Sequence, residues 1–454
     1  MKIEEKILDV IDYVDVKEED FNYVDVEINE IEKKRIKKNI RKKILHKKKA
    51  KGKIIAAAGI LGFAIFSGII LYKPAFAKDF PIFDVIYEKL GYYKEYNDYT
   101  EYIGKSKKSN GYTFTIEKLV GTPNKIVLAV KIHSDKPFKK QPDVGYKNNF
   151  FPSVQYEGTT WDSGGSGCNL IDKNNLLAVY EVESMSGFPK RGKMKINIQS
   201  FEDNNDNTSV KFNFKVDFSS SYEKTISKKI NKVIGNGTKI EKINSSILGT
   251  FIFMDNSNND KEQPVLLKLD ENIYSFNSYG SKYKKACFFF PKVTYKEMKE
   301  AKRISIIPIN RDFNEGDDKW NKSMEKINKL LEKKKVSIQN KVRYYKTLTF
   351  TDDTKGEFYK IERKNNKVKL YFKSDKHTLE FLSKLVLSDY AEDKDSESFI
   401  SNLYWGYVYK DINTKNGYVV EFDDINDNKE LELVFFRSGL IVDGQSIGKE
   451  IYIK

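Results

Sequence analysis

Residues 54–72 read IIAAAGILGFAIFSGIILY, nineteen positions without a charge in a chain that is 32% charged. As a helix they extend about 28 Å, close to the roughly 30 Å hydrocarbon thickness of a bilayer. Ten of the nineteen are Leu, Ile or Phe. Each such residue favours insertion by about 0.3–0.6 kcal/mol at mid-membrane. A buried helix of a globular domain would carry a polar stripe, and this run is apolar all round. It predicts one membrane-spanning helix, with Ile54, Leu61, Phe66 and Leu71 along its length. The rest of the chain divides around it.

The flanks orient that helix. Residues 33–53 carry thirteen Lys or Arg and no acid. Loops rich in Lys and Arg stay on the cytoplasmic side, and each basic residue at the bilayer gains about 1 kcal/mol from anionic lipid. Read alone, such a run would suit nucleic acid. Abutting an apolar helix it is first a topology signal, so the expected partner is the membrane and not nucleic acid. The N-terminus is expected in the cytoplasm and the bulk of the chain, after residue 72, outside the cell. Ala75-Phe76-Ala77 looks like a signal-peptidase site, but some fifty residues before the apolar run are too many for a signal peptide.

The inner segment, residues 1–53, is polarised. Residues 1–32 hold twelve acids against three Lys. Ile3, Ile7, Val10, Ile11 and Val14 recur at helical spacing, which predicts a short amphipathic helix with an acidic outer face. Phe21 and Tyr23 follow in a looser stretch. A second helix is expected from about residue 25, with Ile36, Ile40 and Ile44 on one face. So short a segment cannot bury a core of its own, and exposed apolar stripes of this kind find a partner's surface. The candidate partner-binding residues are Ile3, Ile7, Ile11, Val14, Phe21 and Tyr23. The alternative is an acidic tail whose apolar residues only brush the membrane.

Three phrases carry a family resemblance. They are Ile31-Glu32-Lys33-Lys34-Arg35-Ile36-Lys37-Lys38 before the polylysine stretch, the juxtamembrane KPAFAKDFPI at 73–82, and Asn110-Gly111-Tyr112-Thr113 at the opening of a β-rich region. With the helix between them they resemble a family of single-pass proteins of low-GC Gram-positive bacteria. That family has a short cytosolic segment and an outer domain of unknown function, and its members resemble anti-sigma factors for extracytoplasmic-function sigma factors. The resemblance spans roughly residues 20–135 and implies a sigma factor as partner and a role in transcription regulation. A zinc-binding anti-sigma domain needs closely spaced Cys and His ligands. The inner segment has no Cys and only His46, which excludes that form. No Asn-Pro dipeptide occurs anywhere, which puts self-cleavage of the Asn-Pro kind in doubt.

The outer part is expected to be mainly β, built as tandem immunoglobulin-like sandwiches over residues 73–220, 221–340 and 341–454, the first preceded by a juxtamembrane helix at 81–90. Val210, Phe212, Phe214, Val216 and Phe218 alternate with polar residues, the pattern of a half-buried strand. Further strands are expected at 112–119, 125–133, 193–201, 265–269, 286–290, 367–372 and 431–436, and helices at 320–333 and 377–388. Asn110-Gly111, Asn236-Gly237 and Asn416-Gly417 each precede a strand, a turn and a second strand. Asn-Gly supplies the positive φ angles of tight turns, so the three sites suggest a weak internal repeat.

Chemistry is sparse in this part. His133 and His377 stand apart from one another and from any ligand cluster, Gly164–Gly167 reads as a flexible loop, and no nucleophile motif stands in a convincing setting. The acidic turns at 255–260 and 423–427 lack a full calcium-loop pattern. No enzyme activity, metal or cofactor is expected. Cys168 and Cys287 are both outside and could form a disulfide, worth about 4–5 kcal/mol through the unfolded chain. Beyond residue 53 there are 64 basic and 53 acidic residues, a net of +11. That balance favours an anionic wall polymer or the membrane surface, or serves solubility alone, and the 28 Tyr and 30 Phe could line a glycan or peptide groove. Two functions are thus expected in order: a transmembrane anti-sigma-like regulator whose outer modules sense an envelope signal, or a membrane-anchored surface-binding protein without a sigma partner.

Overall fold

A computed structural model describes residues 94–454 except 139–149, 163–164, 201–207, 235–236, 258–262, 283, 312–317, 333, 390–402, 424, 426–428, 436–439 and 442–444. The chain divides between Tyr72 and Lys73 into two units, and all described residues lie in the second. Among the described residues no helix is long and apolar enough to cross a membrane. The span expected at 54–72 and the helix expected at 81–90 lie outside them.

After a 3-10 turn, Lys94–Tyr99, nine strands follow: β1 (Glu101–Ser109), β2 (Tyr112–Gly121), β3 (Lys125–Ser134), β4 (Phe150–Tyr156), β5 (Thr159–Asp162), β6 (Gly165–Asp172), β7 (Asn175–Glu183), β8 (Arg191–Ser200) and β9 (Ser209–Asp217). They form two antiparallel sheets in the orders β1-β2-β3-β7-β6 and β5-β4-β8-β9. The Asn110-Gly111 turn joins β1 to β2 with φ of 47° and 79°, the pair of positive angles that a tight hairpin requires. Alternate residues of both sheets meet in one core, with Phe114, Leu128 and Ile132 on one side and Tyr156, Ile196 and Phe212 on the other. Gly121 ends β2 where a Cβ would lie 2.4 Å from the Phe218 ring, so only glycine lets that ring close the core. The expected flexible loop at Gly164–Gly167 is corrected: Gly165 onward is strand β6, paired to β7.

The next eight strands are β10 (Ile226–Val233), β11 (Lys239–Ser246), β12 (Gly249–Asp255), β13 (Val265–Leu269), β14 (Asn272–Tyr274), β15 (Ser278–Lys282), β16 (Lys285–Phe290) and β17 (Ile304–Arg311). Helix Tyr295–Glu300 lies between the last two, closed by a capping box from Thr294 and Glu297. Their first sheet runs β10-β11-β12-β16-β15, which is the first sandwich's order with nine added to each number. β14, β13 and β17 take the places of β5, β4 and β8, and the two layers share a second core that includes Ile252, Phe288, Leu267 and Ile306.

The remaining strands are β18 (Ser337–Gln339), β19 (Val342–Tyr344), β20 (Thr347–Thr349), β21 (Lys355–Lys364), β22 (Lys367–Ser374), β23 (Leu385–Asp389), β24 (Leu403–Trp405), β25 (Tyr407–Lys410), β26 (Gly417–Phe422), β27 (Leu431–Phe435), β28 (Gln445–Ile447) and β29 (Ile451–Tyr452). The same order recurs as β20-β21-β22-β26-β25 facing β24-β23-β27. Helix Asp318–Glu332 sets Trp320, Met324, Ile327 and Leu331 against the third core, one stripe at helical spacing.

The repeat is therefore real, but its third copy is not where the Asn-Gly signal put it. Asn416-Gly417 opens β26, and β26 pairs with β22 and β25, whereas β27 belongs to another sheet. The equivalent hairpin is β21–β22, turned by Asn365 and Asn366 at φ of 56° and 59°. The helix expected at 377–388 shrinks to Thr378–Leu382, because Leu385 and Leu387 enter the third core as strand β23. The immunoglobulin-like comparison does not extend beyond two-layer antiparallel sandwiches.

The boundary expected at residue 340 does not separate two sheets. β14 pairs with β25, which fuses the second and third copies into a ten-stranded sheet. The ninth strands are also exchanged. β19, which follows the second copy in sequence, pairs in parallel with β27 of the third. β28 and β29, which follow the third copy, pair with β17 of the second. A chain stopped at residue 340 should leave β17 uncovered and fail to give a stable second sandwich. Limited proteolysis of that truncated chain is expected to spare the first sandwich, about residues 100–222, and to digest the rest. Independent tandem modules would instead protect both.

Candidate functional site

On β22 the residues Val368, Leu370 and Phe372 enter the third core, so Lys367, Lys369, Tyr371 and Lys373 share the opposite face. Register extends that face sideways. β21 places Lys360 beside Tyr371 and Glu362 beside Lys369, and β26 places Glu421 beside Lys369. β25 sets Tyr407 beside Glu421, and Tyr274 of β14 stands opposite Tyr407.

Glu421 is the centre of this face. Its side chain is only 6% exposed, and its carboxylate accepts from Lys367 Nζ at 2.7 Å, Lys369 Nζ at 3.0 Å and the Tyr409 hydroxyl at 2.9 Å. Burial by itself would raise its pKa. The hydrogen bonds from the two lysines and from Tyr409 and Tyr407 outweigh burial and hold it at about 2. The other hydroxyls are tied down as well, Tyr371 donating to Glu362 at 2.7 Å and Tyr359 to Asp411 at 2.5 Å. Burial and then Asp411 push the Tyr359 phenol up to about 12.

Fixed this way, the rings form neighbouring pairs. Centroids are 5.9 Å apart for Tyr359 and Tyr371, 6.1 Å for Tyr407 and Tyr409, and 5.6 Å for Tyr274 and Tyr407. Lysine amines lie over them, Lys360 at 4.7 Å from Tyr371 and Lys373 at 5.6 Å from Tyr359. Lys360 pairs with Glu362, Lys367 with Asp423 as well as Glu421, and Lys373 with Glu357. The face is therefore aromatic, ordered and close to neutral. Its carboxylate stays ionised and the Tyr359 phenol stays protonated at ordinary pH. Tyr274 is buried in the second core with Tyr407 packed against it, and the cross-strand pairs of this face stabilise the sheet by about 0.2–1 kcal/mol each.

A second feature lies where the exchanged C-terminal strand meets the second sandwich. A cleft of about 590 Å³ is lined by Lys232, Val233 and Ile234 at the end of β10, and by Pro308, Asn310 and Gly448–Tyr452. Pro308 causes the break in pairing. Its carbonyl accepts from Gly448 N at 2.8 Å, so its ring nitrogen faces the same strand and has no hydrogen to donate. Pairing resumes at Ile306 with Ile451, and Glu450 turns to Ser305 Oγ at 2.5 Å and Lys268 at 3.3 Å. Across the cleft, Lys228 and Lys232 donate to the carbonyls of Ile453 and Tyr452, both at 2.7 Å.

Most residues singled out from sequence lie elsewhere. Ile3, Ile7, Ile11, Val14, Phe21 and Tyr23, and the membrane positions Ile54, Leu61, Phe66 and Leu71, lie outside the described residues. The expected disulfide is corrected. Cys168 is in β6 opposite Ala178, whereas Cys287 is a free buried thiol packed with Phe251, Phe253 and Phe289. Burial first, and then the charge of Glu183, push that thiol up, which makes it inert. Asp255 is taken by Lys285 at 2.8 Å and by Ser257 N at 2.9 Å, and Asp423 by Lys367. Among the described residues no three His, Cys, Asp or Glu side chains gather as a metal site. His133 bonds Asn175 at 3.1 Å and His377 bonds Asp352 at 2.9 Å, each beside a strand end. Glu421 and its tyrosines were visible only as a high Tyr count, since their pairing is set by non-local register.

A family described as a domain of unknown function (DUF4179) matches residues 46–134. No curated protein matches the chain. Among solved structures, a conserved domain protein from Bacillus anthracis is similar at 13% identity with a TM-score of 0.37, covering 50% of this chain and 85% of that one. An uncharacterized protein, lmo2446, from Listeria monocytogenes EGD-e, solved with α- and β-D-glucose, magnesium and calcium, is similar at 10% identity with a TM-score of 0.14. That match covers 70% of this chain and 29% of that one.

Glu421→Gln keeps the shape and removes the charge. At pH 7 the substitution should cost about 2 kcal/mol, the worth of hydrogen bonds to a charged group. Because the folded pKa of about 2 lies below the ordinary 4.5, the carboxylate's contribution is complete above pH 4.5 and fades as pH falls toward 2. Denaturant melts of the two proteins should therefore converge over that window. A gap that stayed constant down to pH 2 would show that the charge is not what matters.

Proposed function

We propose that the chain is a single-pass membrane regulator. Its inner segment sequesters a sigma factor, and its outer sandwiches respond to an envelope signal. The observation that carries this reading is the thirteen-to-zero excess of basic residues ahead of nineteen uncharged ones. Such an asymmetry fixes orientation as well as insertion. The family match runs unbroken from residue 46 through the apolar run to the end of β3 at Ser134. That continuity supports treating the run as part of the architecture and not as a removable leader. A second reading, a surface-binding protein without a sigma partner, is favoured by the ordered tyrosine face around Glu421.

Protease added to wall-stripped cells should digest the outer sandwiches and leave an epitope on residues 1–53 intact. Loss of that epitope would overturn the topology. Gly62→Asp, near the middle of the run, should cost about 3 kcal/mol of insertion and leave much of the chain out of the membrane fraction.

The regulatory claim is tested on the inner segment. Ile7→Asp or Ile11→Asp would bury an unpaired charge at an apolar contact, costing several kcal/mol, and should release the sigma factor and raise its promoters. Replacing Glu4 and Glu5 by Gln should only weaken association in a salt-dependent way, because peripheral charges mainly steer encounter. Pull-down and a promoter reporter measure both. If the wild-type segment retains no sigma factor, the surface-binding reading takes its place.

A further inference from the structure

The three copies of the fold can be compared at their ninth position. In the first sandwich β9 is continuous over nine residues and pairs with β8 along its whole length. It also seals the side of the sandwich, since Lys105 Nζ of β1 donates to Asn213 O at 3.1 Å and Glu101 accepts from Asp217 N at 2.5 Å. In the second sandwich that position is held by two fragments of three and two residues, with the 590 Å³ cleft beside them. β10 ends its sheet and β28 ends the other, so among the described residues both layers present an unpaired edge to this one side.

The surroundings of the cleft specify what could enter it. Val233 is 66% exposed and Tyr452 58%, two large apolar side chains that line the same cleft. Unpaired strand edges bind extended chains through their backbone groups, and adjacent apolar residues select the side chains. The charge is one-sided. Among the described residues, Lys228 and Lys232 reach backbone carbonyls. Lys449 adds to the same rim, while Glu450 is already engaged by Lys268 and Ser305. Lysines on an edge strand deter pairing with neutral or basic strands. The same lysines favour an acidic one.

We propose that the cleft between β10 and the C-terminal strand is a docking site for an extended acidic peptide of a partner protein, which adds as a strand along β10, beside the place that β28 and β29 already hold. Apolar residues at alternate positions of the peptide meet Val233 and Tyr452, and its carboxylates meet Lys228, Lys232 and Lys449. The site is independent of whether the inner segment holds a sigma factor.

The chain's own β9 supplies the probe. The full-length protein in detergent micelles is titrated with a peptide of sequence 209–217 carrying Lys211→Glu and Lys215→Glu, and with the unaltered peptide as control. The acidic peptide should bind at least tenfold more tightly. Val233→Asp in the protein, at a side chain already in solvent, should weaken that binding tenfold or more, and Lys232→Glu should reverse the preference between the two peptides. Equal binding of both peptides, or no effect of either substitution, overturns the proposal. So does equal binding of a scrambled acidic peptide together with full competition by inorganic polyphosphate, which would make the cleft a patch for anionic polymers. If Val233→Asp unfolded the protein, the Lys232→Glu reversal would decide alone.

Discussion

The exchange of ninth strands between the second and third sandwiches is the constraint on which the outer architecture depends. β17 shows what it demands of a sequence. Ile304 and Ile306 face the second core, while Ile307 and Ile309 face the third. A strand buried on both sides must read as a nearly continuous apolar run, and ISIIPINR does so. Burying one Ile side chain contributes about 1.5–3 kcal/mol, so four from one short strand, divided between two cores, tie the two sandwiches together. Neither core is complete without residues that come from the other half of the chain.

The junction between the first and second sandwiches is of a different kind. Asn244 donates to Asn124 at 2.8 Å, and Asn124 donates in turn to Ser184 O at 2.8 Å. Lys125, its side chain 4% exposed, lies 4.0 Å from the centre of the Phe289 ring and pairs with Glu181 at 2.7 Å. Met185 packs against the patch that holds Cys287. A buried ammonium is tolerated only when it is paired, and here its partners come from β7 while the ring comes from β16. This contact mixes polar pairs with apolar packing and shares no strand, whereas the second and third are woven into one sheet.

That difference explains which parts of the fold were legible in the sequence. Strands with one wet face announced themselves, as 210–218 did by strict alternation. Edge strands did not. β1 reads EYIGKSKKS and β10 reads ISKKINKV, each with lysines where a central strand would place apolar residues. Two of the three repeats could be found because Asn110-Gly111 and Asn236-Gly237 both precede the second strand of a copy. In the third copy Asn365 and Asn366 do that work without a glycine, and Asn416-Gly417 marks a different position. Strand exchange leaves no local trace at all, since β19 and β28 are short and their partners lie about ninety and more than a hundred residues away. The same holds for Glu421. Its neighbours are consecutive along no segment, and register alone collects them.

Pro308 joins the architecture to the seam beside β10. Proline within a strand is confined to edges because it has no hydrogen to offer a neighbour. β17 would therefore suit the edge of a sheet, yet the fold places the C-terminal segment outside it. The two outcomes are reconciled by a cover that pairs on either side of residue 308 and passes over it with one extra residue, Gly448–Glu450 standing against Ile307 and Pro308. Gly448 fits there because a Cβ at that position would approach Pro308 to 3.2 Å. This cover is held by its pairs at Ile447 and Ile451, by Lys228 and Lys232, and by Ile453 and Lys454 on Ile304, and opening it would expose a strand that both cores share. Whatever binds at this seam acts on the element that holds the second and third sandwiches together.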